Sequence, residues 1–115
     1  MQVRAISNGY TTGKVYVIWE IPHDKITGYE IYRNGKVIAS SLEEGELKLF
    51  TQPTMFDHDH NTNLFKKESH NQLMYIDKNV HQYQKYTYEV SAFRQDEHGD
   101  VVETIHSNPV YVTAQ

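Results

Sequence analysis

The segment MFDHDHNTNLFKKESH, Met55 to His70, concentrates the residue types that bind cations. Asp57, Asp59, Asn61, Asn63 and Glu68 fall at positions 1, 3, 5, 7 and 12 of an EF-hand-like loop. That spacing has a mechanism: alternating oxygen side chains converge on a hard cation such as calcium, and a distal Glu closes the shell bidentately. Leu64 fits the anchoring apolar position, but Thr62 stands where glycine is needed for the sharp turn, and the flanks do not read as helices. The competing reading is a solvated Asp/Asn loop. His58 and His60 would share one face of an extended segment, with His70 or Asp57 to complete a transition-metal shell. Met55, Phe56, Leu64 and Phe65 punctuate the same segment and are expected to tuck it against the domain or touch a partner.

Other chemistries find little footing. There is no cysteine, so disulfides and thiolate metal sites are excluded. No Gly-x-Ser-x-Gly elbow or glycine-rich phosphate cradle occurs, and no spacing of Ser, His and Asp singles out a triad. Glu43 and Glu44 sit at an expected turn and read as solvated. The sequence therefore predicts no enzyme and no cofactor, calcium excepted. With a net charge of −4 and scattered lysines and arginines, it lacks a basic footprint for nucleic acid. No apolar run approaches the roughly 20 residues that span a bilayer, and strand-like sequence directly after Met1 leads one to expect no export signal.

The elements that must position these residues are strands. VYVIWE places Val15, Val17 and Trp19 on one side and Tyr16 and Ile18 on the other. YEIYRNGKVIAS carries Asn34-Gly35 between alternating runs, a strong hairpin signal because both turn positions need positive φ. YTYEVSAFR turns Tyr86, Tyr88, Val90 and Ala92 one way. LMYID is a further short strand, and VVETI with NPVYVTA supplies the last one or two, Pro109 marking an edge or a strand start. QVRAIS opens the chain with Val3 and Ala5 on one face, and ELKLFT is expected to pair back onto KVIASSL. Tyr16, Ile18 and Tyr32 lie opposite the core set, where cross-strand pairing is favoured over ligand contact. At 115 residues the chain reads as one all-β domain, 1–115, of about seven strands, with an insertion at about 41–73.

Several pieces, in order, resemble the fibronectin type III domain. VYVIWEIP is similar to its second strand with the core tryptophan, Trp19, and a nearby proline, Pro22. ITGYEIYRNGKVIAS resembles the third strand and its hairpin. MYIDKNVHQYQKYTYEVSAF resembles the fifth strand, the turn hydrophobe (Val80) and the sixth strand with its tyrosine corner (Tyr86), and SNPVYVTA the closing strand. The resemblance implies an immunoglobulin-like two-sheet Greek-key β-sandwich, with the insertion between its C′ and E strands and Trp19, Tyr86, Tyr88 and Val90 as structural residues. It also implies a non-enzymatic protein-contact module. The expected settings are a phage virion (decoration, neck or tail) or a cell-surface protein, the partners being proteins of a larger assembly. The alternatives are a calcium- or carbohydrate-binding module using the insertion and a spacer domain of a larger extracellular enzyme.

Overall fold

The structure, a computed structural model, describes residues 1–9, 12–23, 25–41, 65–69 and 72–115. Nine strands and no helix occur among the described residues. They are β1 (Val3–Ile6), β2 (Val15–Glu20), β3 (Gly28–Arg33), β4 (Lys36–Ser40) and β5 (Phe65–Ser69), followed by β6 (Gln72–Asp77), β7 (Lys85–Gln95), β8 (Val101–His106) and β9 (Val110–Thr113). All pairings are antiparallel. One sheet runs β1-β2-β6-β5; the other runs β4-β3-β7-β8, with β9 also pairing β7.

The period-two patterns determine how the sheets meet. Val15, Val17 and Trp19 of β2 and Leu73 and Tyr75 of β6 face Tyr29 and Ile31 of β3 and Tyr86, Tyr88, Val90 and Ala92 of β7 in one buried cluster. A sheet hides one face and must bury it against another element, so the result is a sandwich with the core between its layers. Trp19 and Tyr29 pack across the layers, ring centroids 5.3 Å apart and tilted by 56°. Burial pushes the Tyr29 hydroxyl up to about 12, a hydrogen bond with the Trp19 side chain partly opposing it. The outer face of the first sheet holds a second cluster in which Ile18, Met74 and Ile76 pack with Ile6 and Tyr16. Tyr16 and Ile18 thus pair across strands, Tyr16 with Ile76 and Ile18 with Met74.

Two differences from the expected seven strands have local causes. The closing strand is split: after β8 the ladder passes through Ser107 to Pro109, and proline has no N–H to give. Ser107 bridges the break, its N–H donating to the Val90 carbonyl and its Oγ accepting the Val90 N–H, both at 2.9 Å. The second difference lies in the expected insertion. Within it, β5 and the start of β6 occupy 65–69 and 72–73 as sheet. FKKES carries little strand propensity of its own, and pairing with β6 overrides it. Glu68 is the extra residue where the β5–β6 register shifts between Lys67 and Ser69. At the other boundary Ser41 is buried, its Oγ accepting the Tyr29 N–H at 2.8 Å. The expected pairing of ELKLFT lies outside the described residues.

Asn34 and Gly35 have φ of 52° and 83°, and they turn β3 into β4. The opposite directions of β1 and β2 place the chain ends apart. The Gln2 carbonyl accepts from the Glu20 N–H where β2 finishes, whereas Gln115 reaches Gly13 and Ser7, which flank the opposite end of that sheet.

Candidate functional site

Most of the residues that the sequence singles out for cation binding or contact, namely Met55, Phe56, Asp57, Asp59, Asn61, Asn63 and Leu64, lie outside the described residues, as do His58, His60 and His70. Phe65 and Glu68 lie on β5. Among the described residues no group of three or more His, Asp and Glu is arranged to hold a metal ion. Trp19, Tyr86, Tyr88 and Val90 are in the core.

Two polar constellations were not legible in advance. The first closes one end of the core. Asp77, at the end of β6, is fully buried. Its carboxylate accepts from Arg33 Nη1 at 3.0 and 2.9 Å, from the Tyr88 hydroxyl at 2.7 Å and from the Asn79 N–H at 3.0 Å. A buried charge persists only when paired and hydrogen-bonded, and here every partner is present. At Arg33 burial works against the charge, and the Asp77 carboxylate more than offsets it. Burial, followed by the bond to Asp77, pushes the Tyr88 hydroxyl up. Nearby, the His81 N–H donates to the Tyr86 hydroxyl at 2.7 Å, tying the β6–β7 connection to the core.

The second constellation lies on the outward face of the second sheet, where β3, β7 and β8 adjoin. Ser91 Oγ is 2.7 Å from Glu103 Oε2 and 2.7 Å from His106 Nδ1. His106 Nδ1 is also 3.2 Å from Glu103 Oε2, and its Nε2 is 3.1 Å from Glu89 Oε1. The Tyr32 ring lies 5.2 Å from the imidazole, and its hydroxyl donates to Glu30 at 3.3 Å. The β-bulge between Ala92 and Phe93 in the β7–β8 ladder makes this possible: Phe93 faces Glu103 and Ser91 faces His106, so residues of both registers converge.

The contacts favour one protonation pattern, although the Ser91 hydroxyl also lies 3.5 Å from that of Tyr32. The single Ser91 hydroxyl proton goes to the Glu103 carboxylate, so His106 Nδ1 must donate to Ser91. Nε2 faces a second carboxylate and must donate as well. Both ring nitrogens donate only in the imidazolium form. Burial lowers the His106 pKa, but hydrogen bonds to Glu103 and Glu89 outweigh it and raise the group above its ordinary 6.5. Glu103 is held below 4.5, chiefly by the Ser91 hydroxyl and then by His106.

Serine, histidine and glutamate in hydrogen-bond reach invite comparison with a nucleophile triad. The arrangement differs from one in that Ser91 has no exposed surface, its hydroxyl faces the Glu103 carboxylate, and two carboxylates hold the His106 pKa up. What the arrangement does is lock Glu89, Glu103, His106 and Tyr32 into one fixed outward patch.

No protein-family model matches the chain, and no curated protein sequence matches it. Among solved structures, the family 28 exopolygalacturonase of Yersinia enterocolitica is similar in fold, with a TM-score of 0.57 and 17% identity. The alignment covers 99% of this chain and 20% of that one, so the chain spans about a fifth of the enzyme's length. At that identity the likeness concerns the fold alone.

Proposed function

We propose that the chain is a fibronectin type III-like Greek-key module that works by protein contact, not catalysis. The strand order supports the fold reading. The sheet β1-β2-β6-β5 follows the A-B-E-D order of immunoglobulin-like domains, and β3, β7 and the split β8–β9 follow C-F-G, with β4 as a C′ edge. The observation that carries the function is the pre-organised outward patch of Tyr32, Glu89, Glu103 and His106. Side chains already held by mutual hydrogen bonds lose little freedom when a partner docks, which favours association. Exposed Val37 lies on β4 across from Tyr32 and gives the patch an apolar flank. The setting that fits best is a larger assembly, a virion or a surface protein among them.

Light scattering on the chain, alone and mixed with products of the adjoining genes, tests this reading. A complex is expected, and Tyr32→Asp or Val37→Asp should dissolve it. A strict monomer with every candidate would overturn the contact role. A rise in melting temperature with millimolar calcium or zinc would favour a cation-binding module instead. The second reading is a spacer within a larger enzyme, favoured by the one-fifth share that this fold takes of the exopolygalacturonase chain.

A further inference from the structure

The two ends of the core treat an arginine differently. On β3 the inward row Tyr29, Ile31 ends in Arg33, which meets Asp77 from the same chain. On β7 the inward row Tyr86, Tyr88, Val90, Ala92 continues to Arg94 at the opposite end. Arg94 has no ion pair among the described residues. In front of it lies a cleft of about 500 Å³, lined by Lys25, Ile26 and Thr27 from the β2–β3 connection and by Arg94, Gln95 and Asp96. Lys25 is a second cation without an ion pair among the described residues. Asp96 keeps its negative charge while its Oδ1 accepts the N–H groups of His98 and Asp100, so the lining holds two cations against one carboxylate. Ile26 packs on the core and gives the cleft an apolar floor. The Thr27 N–H donates to the Phe93 carbonyl at 2.7 Å, holding the two walls in register.

We propose that this cleft receives a carboxylate from an acidic segment of a protein partner, the intermolecular counterpart of Asp77 at the other end. The inference rests on the protein-contact reading and names the chemistry of the partner. Arginine presents a planar fork that matches a carboxylate bidentately, Lys25 adds a second positive charge, and the Thr27 hydroxyl and Gln95 amide supply further polar contacts. The volume suits one or two side chains. The cleft is a locally basic spot on a chain of net charge −4, so an acidic segment is steered to it and away from the rest of the surface.

The test is a titration of isotope-labelled protein with capped hexaglutamate peptide at low salt, followed by backbone amide shifts. Saturable shifts confined to residues 25–27 and 94–96 are expected. Arg94→Lys, which keeps the charge and loses the fork, should weaken binding about tenfold, roughly the worth of one charge-assisted hydrogen bond. Arg94→Gln should abolish binding, and Lys85→Gln, a cation outside the cleft, should leave it unchanged. Equal binding of hexaglutamine, shifts spread over all basic residues, or unchanged affinity in Arg94→Gln would overturn the proposal. The same spectra report whether each variant is folded. If the peptide fails to bind while light scattering still shows a protein complex, the cleft is refuted and the contact role stands. If the peptide binds and no complex forms, the cleft's affinity for carboxylates stands, and its assignment to a protein partner falls with the contact role.

Discussion

At the scale of single residues, Asp77 has the most at stake. Removing one partner of a buried ion pair strands the other, so Asp77→Ala is expected to cost roughly 3–5 kcal/mol in urea unfolding. Arg33→Met should also be costly, because it leaves a fully buried carboxylate with only Tyr88 and the Asn79 N–H. The double variant Arg33→Met/Asp77→Leu should recover much of the loss, since apolar replacement removes both desolvation penalties. Strictly additive single-variant effects would show that the two groups do not act as a pair. Ser91, Glu89, Glu103 and His106 lead to a second prediction. The folded-state pKa of His106 is raised above 6.5, so its contribution is complete below 6.5 and disappears as pH climbs through the folded value. That of Glu103 is lowered below 4.5, so its contribution is complete above 4.5 and disappears as pH falls through the folded value. The cluster therefore adds most stability between those limits. His106→Gln should lower that plateau by under about 1 kcal/mol, because the groups are partly exposed, and remove the cluster's fall in stability as pH climbs above 6.5. None of this was visible along the chain. Arg33 and Asp77 are separated by 44 positions, and Ser91 meets His106 only through a bulged ladder. Residue type marks neither as special until the register is known.

At the scale of elements, legibility followed locality. Asn34-Gly35 announced its hairpin because the requirement for positive φ belongs to the two residues themselves, and alternation announced β2 and β7 for the same reason. A Cβ on Gly35 would meet nothing within 4 Å, so the cost of replacing it is purely conformational. Gly35→Ala is expected to destabilise the domain by about 1 kcal/mol, through left-handed backbone alone. A denaturation midpoint equal to that of the unmodified chain would show that the turn relaxes instead. Strand ends were less legible, because they depend on what lies across the sheet. Ser41 and Ser107 each lend a side-chain oxygen to a backbone N–H where regular pairing stops. β5 is a strand because β6 offers it an edge. The acidic and histidine-rich segment that drew attention first has a pattern of its own, but its chemistry belongs to residues outside those described.

At the scale of the whole molecule, one core accounts for both sheets, and the last residues of the chain belong to it. Ala114 is buried and exchanges hydrogen bonds with Tyr83 and Gln84, and Gln115 binds Gly13 and Ser7. The opposite placement of the two chain ends has a mechanical consequence. A pull between Met1 and Gln115 runs the length of the sandwich and loads β1 against β2 in shear, stretching its hydrogen bonds together instead of one at a time. A pull between Met1 and Glu20, which end at the same edge of that sheet, would peel those bonds in sequence. Single-molecule stretching should therefore find a higher rupture force in the first geometry. The strand layout sets the β1–β2 hydrogen bonds in parallel along the sandwich axis and in series across it.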